Sequence, residues 1–435
     1  MQATARTRVR YGWLGAGAIA VGLGAALAGG SGVAHADAAD GASPGAATRS
    51  ASAHQASTPA RARRTATSAT ADRNGAVAKQ TVPSTAAVAN PVPRASTAVA
   101  VPAATSLAAT PAPTTYTAGS KLPPRIQWDA NYGYCGEAAF ISAGLNYGQY
   151  ISQYDARALA SNNARQSLES SQLLLGVNDV AAAKAMHLSA TAFNPAKQPT
   201  STAFLTWVKS NVTAGYPVVI GVFMNQSRFY GTTNLNAGDT EYDHIVPVTG
   251  ITSTHPLTGT ATYYADDVLT FNDNGEWIGT NGQPQNAFSY TFGTFATTRQ
   301  KANAKAAAVY SLKNGADYGI AITGIIDGSR ETVPVRLTTS VNAETPVMID
   351  GSNTRPAAKP VTLTITVSSL RPGTTYNLYR YNTMANVPDS NINANAAKAA
   401  QKWTITIPSG STYTMTQTIN SNEVAVYRAV PVGAP

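Results

Sequence analysis

The sequence predicts an α+β domain followed by an all-β domain, with an export signal and a long unfolded spacer in front of them. Three observations carry this. Residues 12–30 form an uncharged, Gly- and Ala-rich run behind Arg6, Arg8 and Arg10. Residues 37–117 are almost wholly Ala, Thr, Ser and Pro with scattered Arg, and hold one aromatic residue, Tyr116. After about Lys121 the aromatic residues return, and apolar positions recur first at helical and then at strand spacing.

The elements follow in order. The run at 12–30 ends at Ala34-His35-Ala36, a small-x-small cleavage signature, so residues 1–36 read as a removable signal peptide and the rest as secreted or cell-surface associated. Residues 37–117 cannot bury enough apolar surface to offset the entropy of ordering, which makes them a disordered spacer. In the next stretch, 118–326, a helix is expected just after Cys135, where Ala138, Ile141 and Leu145 recur at helical spacing. Further helices are expected at 180–186, started by Asn178-Asp179, and at 202–212. Gly215-Tyr216-Pro217 ends the last of these and leads into a buried strand at 218–223; more strands fit 244–251 and 268–271. Helices first and strands later argue for α+β rather than alternating βαβ units. From 327 to 435 the pattern alternates cleanly at 361–367, 403–407 and 424–427, the mark of half-buried strands in a β-sandwich.

Charge and cysteine content narrow the function. Of the formal +9, the first 117 residues hold nine Arg and one Lys against three Asp, so the folded remainder is nearly neutral and nucleic acid is not an expected partner. No apolar run after the signal is long enough to span a bilayer, which excludes an integral membrane segment. Cys135 is the only cysteine, so an intrachain disulfide is impossible and the thiol is either buried or used. His187, at a helix end, and His255, in Thr-His-Pro, read as surface or capping residues, and Asp266-Asp267 as a solvated turn. They form no metal set, residues 272–276 lack EF-hand spacing, and no glycine-rich phosphate loop is present; neither metal nor cofactor is expected. Tyr376, Tyr379 and Tyr381 fit a sandwich core better than a sugar-binding strip.

Three segments carry chemistry. Gln127 to Glu137 contains Asn131 and the turn Gly133-Tyr134-Cys135-Gly136. Residues 242–251 contain His244 among alternating valines, and 268–275 contain Asn272 and Asp273. A cysteine at a helix start sits where N–H groups and the helix dipole favour an anion. A strand-borne histidine could accept its proton, and an amide or carboxylate on the next strand could fix the ring. Strand alternation allows Asn272 or Asp273 to face His244, not both.

This order of motifs resembles the papain clan of cysteine peptidases, nearest the bacterial branch that processes bacteriocin leaders, over residues 126–273. The resemblance implies a papain-like α+β domain at 118–326 with Cys135 as nucleophile, His244 as general base and later acid, and Gln127 as the oxyanion-hole side chain. It leaves Asn272 or Asp273 to orient His244. Gln127 stands eight residues before Cys135, further than the family's usual six, and Asn131 is the nearer amide. Residues 370–379 resemble the corner of fibronectin type III-like sandwiches, where a Tyr hydrogen-bonds back to the chain. The expected activity is cleavage of a peptide or isopeptide amide in a peptide or protein substrate, with the sandwich available for cell-surface material. Transglutaminase-like acyl transfer and a non-catalytic adhesion or scaffold role are the alternatives.

Overall fold

The computed structural model describes residues 114–434 other than 121, 129, 225–243, 276–285, 297–309, 313–316 and 340–347. The expected signal peptide, and the spacer as far as residue 113, lie outside the described residues. In chain order the elements begin with β1 (Tyr116–Gly119), α1 (Cys135–Leu145), β2 (Gln149–Tyr150), α2 (Gln153–Ala160), α3 (Asp179–Ala185), β3 (Leu188–Ala192) and α4 (Ser201–Thr213). Then come β4 (Val218–Met224), β5 (His244–Ser253), β6 (Val268–Asn272), β7 (Ala287–Thr291), α5 (Phe292–Phe295), β8 (Tyr310–Ser311) and β9 (Gly319–Ile325). The chain ends with β10 (Val335–Thr338), β11 (Pro360–Val367), β12 (Thr375–Tyr381), β13 (Gln401–Thr406), β14 (Tyr413–Asn420) and β15 (Ala425–Pro431). A mixed α/β region thus precedes a region of β-sheets.

The first sheet has the order β3-β9-β4-β5-β6-β7, with β1 against β5 and β8 against β4, and its pairings are antiparallel. β1 corrects the spacer boundary. Tyr116 and Thr117, assigned to the spacer by composition, pair with Ser253 and Thr252 as the first rungs of a ladder. Two apolar clusters flank the sheet. One packs Phe204, Leu205, Val208 and Val212 of α4 against Val218, Ile220, Val246 and Val248. The other joins Ala139, Phe140, Ile141 and Ala143 of α1 to Val219, Ile245 and Ile320.

α1 is the pivot of the fold. From Gly136 to Leu145 every residue is buried, so its small and apolar side chains suit a helix surrounded by protein on all sides. At Gly136 there is no room for more than hydrogen: a Cβ there would lie 2.1 Å from the Leu173 carbonyl oxygen. The close approach of two backbones explains the glycine beside Cys135.

The C-terminal region holds a three-stranded sheet, β10-β11-β14, and a four-stranded sheet, β13-β12-β15-β2. Val361, Leu363, Ile365 and Val367 share a core with Tyr376, Leu378, Ala425, Tyr427 and Ala429. This is the alternation of two sheets burying one face each. The edge strand β2 comes from the α/β region, where Tyr150 pairs with Ala425 and Gln149 with Val426. Tyr376, Tyr379 and Tyr381 are all buried, so they form no surface strip. His187, read as a surface or capping residue, takes the capping role: it closes α3 in a left-handed conformation (φ 54°) and turns its ring onto the C-terminal region. Its Nδ1 lies 2.6 Å from Asp389 and its Nε2 2.9 Å from the Met384 carbonyl. Asp267 is also not in a solvated turn. It is fully buried, and its carboxylate accepts from Lys209 Nζ at 2.6 Å.

Candidate active site

Cys135 is the first residue of α1 and is half-buried. A first-turn N–H has no acceptor inside its own helix, and the cap position, Tyr134, supplies no side-chain acceptor either. His244 opens β5 and is 4% exposed. Cys135 is close enough to act on its imidazole, and its interaction with the ring is one of those that raise the His244 pKa. Its Nε2 donates to Asp273 Oδ1 at 2.7 Å, which leaves Nδ1 without a share in that bond. Asp273 lies one residue past the end of β6 and is fully buried. Its Oδ1 also accepts from the Gly275 N–H at 2.7 Å, and its Oδ2 from the Tyr310 hydroxyl at 2.5 Å.

These contacts set the electrostatics. Burial pulls the His244 pKa down, but the charge and hydrogen bond of Asp273, joined by those of Cys135, outweigh it and push the ring up to about 10. Burial pushes the Asp273 carboxyl up. The His244 charge and the hydrogen bonds from His244, Tyr310 and Gly275 more than offset this and hold it below the ordinary carboxylate value. Both shifts favour the charged forms, an imidazolium beside a carboxylate, with Cys135 as a further group acting on the ring.

The other residues named from sequence divide cleanly. Asn272, the last residue of β6, points away from His244 and donates through Nδ2 to the Leu122 carbonyl at 3.1 Å. Asn131 is committed elsewhere. Its Oδ1 accepts from Gly351 N at 2.6 Å and its Nδ2 donates to Ser352 O at 2.9 Å. Gln127 remains. Its carboxamide Oε1 is buried with no hydrogen-bond partner among the described residues. Its backbone, by contrast, is pinned: Gln127 N donates to Asn274 O at 2.6 Å, and Gln153 clips the residues on either side through Ile126 O and Trp128 N, both at 2.9 Å.

The turn before Cys135 holds three successive left-handed residues, Asn131 (φ 48°), Tyr132 (φ 69°) and Gly133 (φ 83°). Two non-glycine residues in that region need support from outside. Arg157, absent from the sequence reading, provides much of it. Its guanidinium donates to the Asn131, Gly133 and Gln166 carbonyls, sits 3.5 Å over the Tyr134 ring and pairs with Glu137 at 2.7 Å. Gln172 Nε2 adds a bond to the Tyr132 carbonyl at 2.5 Å. Both Arg157 and Glu137 are fully buried. Glu137→Ala therefore leaves a guanidinium without its counter-charge, and denaturant unfolding is expected to show a loss of about 3 kcal/mol. A loss below about 1 kcal/mol would mean that the three carbonyls suffice to hold the cation.

Among the described residues no group of three or more His, Cys, Asp or Glu side chains is placed to hold a metal ion, and no helix is long and apolar enough to cross a membrane. The site's geometry suits nucleophilic attack by sulfur with proton exchange at one imidazole nitrogen. No family model matches the chain, and no curated protein or solved structure is detectably similar to it.

Proposed function

We propose that this chain is an exported, papain-like cysteine hydrolase acting on peptide or isopeptide amides. The observation that carries the reading is the buried His244–Asp273 hydrogen bond, with Cys135 acting on the same ring from the first residue of a buried helix. In the proposed reaction the Cys135 thiolate attacks the substrate carbonyl carbon. The resulting oxyanion is met by the Cys135 N–H and by the NH₂ end of the Gln127 carboxamide. The His244 imidazolium gives its proton to the leaving nitrogen, the C–N bond breaks, and an amine departs from a thioester. Water then loses a proton to His244 and attacks the thioester. The carboxylic acid leaves as the proton returns to sulfur. Asp273 keeps the ring oriented throughout and stabilises the imidazolium in the steps where the ring holds the extra proton.

The same reading takes the C-terminal region as a fibronectin type III-like sandwich. In support, the Tyr376 hydroxyl accepts from the Arg371 N–H at 3.0 Å, a bond from a corner tyrosine back to the chain a few residues upstream.

Iodoacetamide tests the chemistry. A thiolate held by an imidazolium is alkylated at nearly equal rates at pH 6 and pH 8. A thiol of ordinary pKa (~8.5) slows by roughly two orders of magnitude between pH 8 and pH 6. A slow, strongly pH-dependent Cys135, or one that reacts only after unfolding, would leave a folded scaffold without the proposed activity.

A further inference from the structure

We infer that Asn274, which the proposed reaction does not use, is the positioning residue that holds nucleophile, base and oxyanion donor in register; this rests on the cysteine-hydrolase reading. Asn274 is 1% exposed and immediately follows Asp273. Its side-chain Nδ2 donates to two carbonyls on two different elements: Cys135 O at 2.8 Å, on α1, and Ile245 O at 3.0 Å, on β5 beside His244. Its own carbonyl accepts from Gln127 N at 2.6 Å. One residue thus touches the three segments that supply sulfur, imidazole and oxyanion donor, and is covalently joined to the fourth group, the Asp273 carboxylate.

The chemistry of the contacts makes asparagine specific here. Both partners of the side chain are carbonyl oxygens, which can only accept, so the NH₂ end must face them and the orientation of the amide is fixed. A neutral amide supplies two donors without adding a second negative charge next to Asp273; an aspartate could not donate and would repel it. The Oδ1 atom is buried with no partner among the described residues. Leaving that acceptor unsatisfied carries a cost, and what it accompanies is a bridge between α1 and β5. No other described side chain bonds both the Cys135 backbone and the residue next to His244. Beside the packing of α1 against Ile245, this bridge is the polar tie that fixes the spacing of Cys135 and His244 on which the thiolate–imidazolium pair depends.

The test compares the full-length wild type with Asn274→Ala and Asn274→Ser, each measured well below its own thermal midpoint on protein with native circular dichroism. Removing the bridge is expected to lower kcat on a cleavable peptide by about 10²-fold while KM stays within about twofold, because misplacement of the reacting groups costs rate and leaves peptide contacts alone. Alkylation of Cys135 at pH 6 should fall relative to that at pH 8, so that the nearly flat pH dependence of the wild type steepens. Asn274→Ser, which keeps one donor, should recover part of both. If the wild type is flat and fast and Asn274→Ala is equally flat and fast, the positioning role is wrong and the hydrolase reading stands. If the wild type itself is slow at pH 6, both fall. If neither variant reaches a native fold, Asn274 is a structural residue and the inference is overturned.

Discussion

Cys135→Ala is expected to lose at least about 10⁴-fold in turnover while unfolding within about 1 kcal/mol of the wild type. The size of the loss follows from the role: with the nucleophile gone no thioester forms, and the acid, base and oxyanion donors that remain have nothing to act on. The small change in stability follows from the position. Cys135 is half-buried at the first residue of α1 and only lines the edge of the apolar cluster, so alanine removes one sulfur and leaves the buried members Ala139, Phe140 and Ile141 in place. The His244–Asp273 pair also survives, because its 2.7 Å bond does not involve the sulfur. A peptide cleavage assay and a denaturant titration on the same preparation separate the two effects. A variant that cleaves at the wild-type rate would rule out sulfur as the nucleophile.

The periodic parts of the fold were legible because their physics is local. Val361 to Val367 alternates between core and solvent along its whole length, and the sequence shows it. The helix after Cys135 was legible from Ala138, Ile141 and Leu145, although it is buried all round and lacks a polar face. The choice between Asn272 and Asp273 was not legible. Alternation says that only one can face His244, but β5 and β6 slip register between Val248 and Gly250, and Asp273 lies beyond the last ladder residue, so counting along the strand cannot pick the face. Arg157 and Tyr310 were missed for a related reason. They reach the site from 26 residues beyond Asn131 and 37 residues beyond Asp273, respectively, and neither carries any local pattern that announces the contact. Asp267 was misread because Asp-Asp after Tyr-Ala has the composition of a turn. Its partner, Lys209, is on α4, 58 residues earlier. Tertiary charge pairs of this kind leave no short-range trace in a sequence.

Asp273→Asn is expected to slow turnover by about 10²–10⁴-fold and to move its alkaline limit to lower pH. An amide keeps the shape, but it removes the charge that holds the imidazolium and can present the ring with the wrong tautomer. In the wild type the His244 pKa stands at about 10 despite burial, which by itself lowers it. With the Asp273 charge gone, burial is opposed only by Cys135, so the ring deprotonates earlier and the imidazolium needed for protonating the leaving amine disappears at lower pH. Stability should follow the same linkage. The raised pKa of His244 means that its contribution is full below its ordinary value of 6.5 and is lost as pH rises through about 10. The lowered pKa of Asp273 means that its contribution is present above the ordinary 3.8 and is lost as pH falls through its folded value. The stability difference between wild type and Asp273→Asn should therefore be largest between 3.8 and 6.5 and shrink toward both extremes. Denaturant unfolding across that range, beside a pH–rate profile, reads both. An Asp273→Asn enzyme with an unshifted alkaline limit would show that the carboxylate does not set the charge of the ring. In that case the pairing of His244 with Cys135 would have to sustain the imidazolium unaided, against the full desolvation of a ring that is 4% exposed.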